Sequence, residues 1–101
     1  MPPDEAQILA AIRPIIDPEL GISVVDLGLI QDVTVSASGE VDVAFTTTAP
    51  ACPMVGIIGY GIRQAVAQLA GVTKVRANLV TDPPWNPERM TAEAMDKLYR
   101  R

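Results

Sequence analysis

Two segments in which apolar and polar residues alternate constrain the fold of this chain most. The first runs from Leu29 to Ser36 and the second from Val41 to Thr48, and a short turn containing Gly39 separates them. Alternation with a period of two is typical of strands that bury one face, so the pair predicts a β-hairpin. The apolar face of such a hairpin must be covered by other elements of the same chain.

Helices and a third strand supply that cover. Apolar residues recur at helical spacing from Asp4 to Ile16 and from Pro53 to Leu69, and Thr91 is placed to cap a last helix that runs to Tyr99. Val72 to Val80 predicts a third strand, with Val75, Ala77 and Leu79 inward. The order α-β-β-α-β-α predicts an α+β fold, a small three-to-four-stranded sheet with helices packed on one face, in one domain spanning residues 1–101.

Prolines and glycines divide these elements. Pro14 disfavours helix at Arg13, so the last turn of the first helix is expected to be irregular. Asp17 to Gly21 has the composition of a turn, and Thr81 to Met90, with three prolines, predicts a rigid loop.

Composition excludes several classes of protein. The chain has 8 basic and 12 acidic residues and 4% aromatics, which argues against nucleic acid and anionic membranes as partners. Histidine is absent, which removes the commonest general base and argues against a thiol enzyme, although a helix N-terminus is another way to activate a thiol; we expect a protein that is not an enzyme. A single cysteine excludes an intramolecular disulfide, and the N-terminus lacks a signal peptide's basic region, so we expect a cytoplasmic protein.

Cys52 is the first candidate for chemistry. It lies just before the predicted second helix, where unpaired N–H groups and the partial positive charge of the helix end favour a thiolate, the form that attacks or ligates. Free cysteines are also among the most buried residues, so a purely packed role is an equal alternative.

Three other features have a structural and a functional interpretation. Gly56, Gly59 and Gly61 each disfavour helix; the sequence favours tight helix–sheet packing as the reason, and the approach of another chain or a ligand is the alternative. The carboxylates of Asp17, Glu19 and Asp26 suit an acid–base pair or a cation site, but their place beside proline and glycine makes ordinary turn residues the stronger interpretation. Trp85 stands among prolines and is expected to be a lid on the core.

Four motifs, taken in order, resemble one family. They are DPE at 17–19, DLG at 26–28, TTTAPACP at 46–53 and DPPW at 82–85. The chain resembles, from about Ile8 to Tyr99, the small proteins of the SufT and PaaD type, which are associated with iron–sulfur cluster assembly and the maturation of metal–sulfur enzymes. The resemblance implies an α+β domain of the iron–sulfur assembly type.

The same resemblance implies a site around Cys52, which occupies the family's Cys-Pro position. It makes Cys52 the functional cysteine and a transient metal ligand, with Asp17, Glu19 and Thr48 as supporting polar residues. Asp26 and Trp85 belong to the family motifs, and we assign them structural roles.

Counting ligands leaves two functions open. One thiolate and no imidazole do not hold a stable iron–sulfur cluster in a monomer, so a cluster is expected only transiently, or between the two chains of a homodimer. Cys52 then helps deliver clusters from scaffold or carrier proteins to client apo-proteins. The alternative is an adaptor that docks scaffold or client without binding a cluster, including a PaaD-like role in maturing a ring oxygenase. PaaD-type members often carry a further cysteine-rich C-terminal segment, and its absence before Arg101 favours the SufT type.

Overall fold

The computed structural model describes residues 2–18, 20–47, 55–81 and 84–99. Its helices are α1 (Glu5–Ile12), α2 (Val55–Ala67) and α3 (Ala92–Tyr99), and its strands are β1 (Ile16–Asp17), β2 (Ile22–Ser23), β3 (Ile30–Val35), β4 (Glu40–Phe45) and β5 (Lys74–Leu79). A 3-10 turn, Pro87–Arg89, precedes α3. The element order confirms the predicted α+β class and adds one hairpin, β1–β2, that the sequence did not predict.

The main sheet has the order β3-β4-β5. β3 and β4 are antiparallel, and β5 lies parallel to β4 with Val41 opposite Val75 and Val43 opposite Ala77. Parallel neighbours need a crossover, and α2 provides it. The predicted alternation of β4 is confirmed, because every second residue of this strand, ending with Phe45, is buried.

One core lies between the inner face of the sheet and the helices. It is built almost entirely from aliphatic side chains: Ile8, Ile12, Ile22, Val24, Leu27, Leu29, Val41, Val43, Phe45, Ile58, Ile62, Val66, Met90 and Ala94. No helix in the described ranges is long and apolar enough to cross a membrane.

Helix α1 begins as predicted and ends earlier. The Asp4 carboxylate accepts the N–H of Gln7 at 2.8 Å, and Gln7 Oε1 accepts the N–H of Asp4 at 2.9 Å, which is a reciprocal cap. The prediction that the helical segment reaches Ile16 is wrong, because α1 ends at Ile12 and Ile16 is in β1. Pro14 explains the early end, since it has no N–H for the next helical hydrogen bond.

The unpredicted hairpin encloses the DPE motif. Ile16 pairs with Ser23 and Asp17 with Ile22. The main-chain carbonyl of Asp17 accepts the N–H of Gly21 at 2.7 Å, and Gly21 has φ 68°, so the predicted turn is confirmed. Strands of two residues are too short to show an alternating pattern.

The strand ends require two corrections. The first predicted strand begins at Ile30, not Leu29, and an irregularity between Ile30 and Asp32 interrupts the alternation predicted for Leu29 and Gln31. Leu79, predicted to point inward, is 41% exposed. It is the last residue of an edge strand, where cover from neighbours is smallest.

The C-terminal segment closes the core from the side of β2. Thr91 Oγ1 accepts the N–H of Ala94 at 3.1 Å, which confirms its predicted capping role. Trp85 packs against the core half-buried, and its Nε1–H donates to the carbonyl of Leu27 at 2.6 Å. Trp85 is therefore the structural lid that the sequence predicted.

Removing that indole donor tests the lid. Trp85→Phe keeps an aromatic ring but leaves the Leu27 carbonyl without its partner, and we expect a loss of about 1–3 kcal/mol in the free energy of unfolding. Urea titration followed by circular dichroism measures it. Tyr60→Phe, at a residue 58% exposed, is the matched control and should change stability by less than about 0.5 kcal/mol. Equal stabilities for both variants would refute the structural role of Trp85.

Candidate functional site

The predicted site is only partly within the described structure. Cys52, Glu19 and Thr48 lie outside the described residues, and so does Pro53, the predicted first residue of the second helix. Asp17 is described, as are the segments that flank the other three. The positions of those flanking segments define the region of the candidate site.

Asp17 is a buried carboxylate. Its residue is 1% exposed, and its main-chain carbonyl holds the turn to Leu20 and Gly21. Burial of a carboxylate is costly unless it is partnered, and Asp17 does have a polar or electrostatic contact. Its side chain is thus part of the interior of the fold, in addition to any role it has toward Cys52.

Contacts bring the segment before Asp17 against α2. A Cβ placed on Gly61 would lie 3.6 Å from Cδ1 of Ile15, two residues before Asp17. Helix α2 begins at Val55, three residues after Cys52. The chain near the DPE motif and the helix that follows the Cys-Pro pair are therefore in contact. This arrangement favours the predicted proximity of Glu19 and Cys52, which remains a prediction.

Two buried threonines follow strand β4 and precede Thr48 in the sequence. Thr46 and Thr47 are 3% and 7% exposed, and the N–H of Thr46 donates to the carbonyl of Leu29 at 2.7 Å. The threonine stretch thus stays within the packed structure up to Thr47. It links the C-terminal end of the central strand to the Cys-Pro segment.

The first turns of α2 are uncovered on one side. Ile57 and Tyr60 are 61% and 58% exposed, and a Cβ on Gly56 would meet no described atom within 4 Å. Exposed large apolar side chains on adjacent turns are typical of contact surfaces. This surface, formed by Gly56, Ile57 and Tyr60, is called the α2 entry face below.

The three glycines of α2 have different surroundings. A Cβ on Gly59 would lie 3.3 Å from Cζ of Phe45, so Gly59 allows the close helix–sheet packing that the sequence favoured. Gly61 packs against Ile15. Gly56 faces open space among the described residues, so packing does not explain it, and approach of another chain or a ligand remains its interpretation.

Asp26 has the structural role assigned to it. It forms an ion pair with Arg13 at 2.5 Å, and its main-chain carbonyl accepts the N–H of Thr91 at 2.8 Å. The DLG motif thus joins the end of α1 to the start of α3. No sequence pattern pointed to Arg13 as the partner, because the two residues meet only in the folded chain.

A second ion-pair group lies on the outer face of the sheet. Arg76 Nε donates to Asp42 at 2.5 Å, and its Nη2 donates to Asp42 at 2.9 Å and to Glu40 at 3.2 Å. The hydrogen bond from Arg76, aided by the charges of Arg76 and Lys74, holds the pKa of Asp42 below its usual value against the opposing effect of desolvation. These exposed groups stabilise the sheet only slightly.

The described residues contain no group of three or more histidine, cysteine, aspartate or glutamate side chains that could hold a metal ion. Cys52, the single cysteine of the sequence, lies outside the described residues.

Comparisons with known proteins cover most of the chain. Residues 5–79 match the model of a family described as iron–sulfur cluster assembly protein. The Fe-S protein maturation auxiliary factor of Porphyromonas gingivalis is 42% identical over 94 residues, 93% of this chain and 90% of that protein. The Fe-S protein maturation auxiliary factor SufT of Staphylococcus aureus is 36% identical over 80 residues, 79% of this chain and 91% of that protein.

A further relative and a solved structure also match the chain. An Escherichia coli protein named as one component of a 1,2-phenylacetyl-CoA epoxidase is 35% identical over 98 residues, 96% of this chain and 58% of that protein. The crystal structure of a domain of unknown function from Bacillus anthracis superposes with a TM-score of 0.91 at 35% identity, covering 96% of this chain and 92% of that one. The resemblance that the four motifs indicated, to both SufT-type and PaaD-type proteins, is confirmed.

Proposed function

This chain belongs to the iron–sulfur cluster assembly protein family, and from that premise we propose that it is a maturation factor, not an enzyme. It helps deliver iron–sulfur clusters to client apo-proteins in the cytoplasm. Its partners are a scaffold or carrier protein and the client. The names of the P. gingivalis and S. aureus relatives, both maturation auxiliary factors, support this class of function.

One structural observation carries the proposal further, and it is the uncovered α2 entry face. The helix that begins three residues after Cys52 leaves Ile57 and Tyr60 more than half exposed, beside Gly56, whose Cβ would meet no atom of the described residues within 4 Å. A partner that docks on this face comes close to the Cys-Pro segment. Burying two large side chains stabilises such a contact by a few kcal/mol before the cost of association, of the order of 1.5–3 kcal/mol each.

The role of Cys52 in this proposal is a ligand exchange. Its thiolate replaces one ligand on an iron of the incoming cluster, and a client thiolate later replaces Cys52 on the same iron. No electron is transferred, and each step exchanges one iron–ligand bond for another. The N-terminus of α2, a 13-residue helix, favours the thiolate form that this exchange requires.

Asp17, Glu19 and Thr48 complete the proposed site as supporting polar residues. Contact between Ile15 and Gly61 supports this grouping, because it holds the DPE segment against the helix that follows Cys52. Asp17 contributes from the interior and orients the turn that carries the motif.

An adaptor that never binds a cluster is the second candidate. It uses the same exposed face, and Cys52 is then a packed side chain. The match to the epoxidase component favours a dedicated, PaaD-like version of this role, in which one client is served. The two candidates differ in whether the Cys52 thiolate binds an iron–sulfur cluster.

Anaerobic reconstitution with iron and sulfide tests the proposal. Because one thiolate per chain is too few for a stable cluster, we expect monomeric protein to remain almost colourless and any bound cluster to bridge the Cys52 thiolates of two chains. Absorption spectra recorded across a size-exclusion column measure both properties. Cys52→Ser should lose the dimeric coloured species.

Ala51→Ser is the matched control, since it adds a hydroxyl beside Cys52 and keeps the thiol. It should reconstitute like the natural chain. A monomer with a full, stable cluster and no added thiol would show that the ligand count is wrong. Protein that stays colourless in every oligomeric state yet supports client maturation would establish the adaptor.

A further inference from the structure

A groove of about 270 Å³ runs between the second half of α2 and the beginning of β5. Arg63, Gln64 and Ala67 form its helix side, and residues 72–75 form its strand side. It lies at the opposite end of α2 from the entry face, so the proposed site at Cys52 does not account for it.

The strand that borders this groove has a free edge. β5 pairs with β4 on one side, and among the described residues no strand pairs with its other side. Val80 donates its N–H to the carbonyl of Phe45 at 2.8 Å, and main-chain groups alternate along a strand. The N–H and C=O groups of Val75, Ala77 and Leu79 therefore point away from β4, toward the open side.

The groove carries positive charge on an acidic protein. Arg63 and Lys74 both line it, and neither forms a salt bridge with any described residue, although the charge of Lys74 also acts on Asp42 of the neighbouring strand. Arg76, the next cation on β5, is held by Asp42 and Glu40 on the outer face and is thus already paired. With a net charge of −4, the chain as a whole repels an acidic partner, and the groove is a place where it attracts one.

We propose that this groove binds an extended acidic segment of another protein, which adds to β5 as a fourth strand of the sheet. Main-chain hydrogen bonds to Val75, Ala77 and Leu79 hold the segment, and Arg63 and Lys74 select carboxylate side chains on it. A second copy of this chain is a poor occupant, because its own β5 edge offers Lys74 and Arg76 and no carboxylate. The proposal is independent of whether Cys52 ever ligates a cluster.

A defined peptide tests this binding. The probe is a fluorescein-labelled peptide of about twelve residues that alternates glutamate and valine, titrated with the full chain and followed by fluorescence anisotropy. We expect saturable binding, and the double variant Arg63→Glu, Lys74→Glu should weaken it by at least about tenfold. Lys97→Glu is the control, because it reverses a charge on α3 at a residue that does not line the groove. It should alter the affinity less than about twofold.

The edge itself is tested in two ways. In amide NMR spectra of the ¹⁵N-labelled chain, the signals of Val75, Ala77 and Leu79 should shift as the acidic peptide is added. Ala77→Pro removes one outward N–H and no hydrogen bond to β4, so it should weaken binding while circular dichroism shows the fold retained. If Ala77→Pro unfolds the chain, the charge variants and the NMR shifts still decide the question.

Three results would overturn the proposal. If a peptide with lysine in place of glutamate bound with the same affinity, selection of acidic segments by Arg63 and Lys74 would be refuted. Amide shifts confined to the outer sheet face or to α3 would place the binding elsewhere. Concentration-dependent shifts of the same β5 amides without peptide, together with a dimer by light scattering, would assign the edge to a second copy.

Discussion

Cells that carry Cys52→Ser as their only copy of this chain are expected to lose maturation of iron–sulfur clients, while the purified variant melts within about 3 °C of the natural protein. The substitution replaces sulfur by oxygen of nearly the same size, so the stability of the fold should change little. The hydroxyl is a poor ligand for sulfide-bridged iron, which prefers thiolate, so we expect client maturation to be lost. Client enzyme activity in cell extracts and thermal melts by circular dichroism measure the two effects.

The two measurements together separate the proposed functions. If Cys52 were sealed in the core, an unpartnered hydroxyl there would cost about 1–3 kcal/mol, which lowers the melting temperature of a domain of this size by about 4 °C or more. Ala51→Ser should leave both client activity and melting unchanged. A clear drop in melting temperature with client activity intact would favour the adaptor.

Local patterns in the sequence predicted the elements that depend on local physics. The alternation of Val41, Val43 and Phe45 is the burial pattern of β4, and Asp4 and Thr91 cap the helices that follow them. Each of these features is determined within a few residues, by pleat geometry or by the unpaired N–H groups of a helix start.

Features that depend on residues far apart in sequence were not predicted. The ion pair between Arg13 and Asp26 forms only in the folded chain. So does the hydrogen bond from the Trp85 indole to the carbonyl of Leu27, 58 residues away. The β1–β2 hairpin was missed because two-residue strands carry no readable period. The exposure of Leu79 depends on where the neighbouring elements stop, since it is the last residue of an edge strand.

The candidate site was predicted mainly by resemblance, not by pattern. Spacing alone left Cys52 equally interpretable as a packed residue, and the order of the four motifs selected the functional interpretation. The structure adds the contact of Ile15 with Gly61 and the exposed Ile57 and Tyr60, neither of which the sequence indicated. It also distinguishes the glycines of α2: Gly59 packs on Phe45, Gly61 packs on Ile15, and a Cβ on Gly56 would meet no atom within 4 Å in the described part of the chain.

The DLG motif gives the largest expected effect on stability. Gly28 has φ 76°, and a Cβ placed on it would lie 2.3 Å from the main-chain oxygen of Arg89, in the 3-10 turn before α3. Gly28→Ala therefore combines a left-handed backbone with a clash against main-chain atoms, which cannot rotate away. We expect it to lower the free energy of unfolding by about 3 kcal/mol or more, a large part of what a small domain has.

Gly21→Ala provides the matched control for this prediction. Gly21 also has a left-handed backbone, with φ 68°, but a Cβ there meets no described atom within 4 Å. Its substitution should cost only the conformational strain, about 1 kcal/mol. Urea unfolding of both variants isolates the contribution of the close approach to Arg89 as the difference between them. Equal losses would mean that the 3-10 turn moves aside freely. A clearly larger loss for Gly28→Ala than for Gly21→Ala would establish that glycine in the DLG motif is required so that the segment before α3 can close over the core.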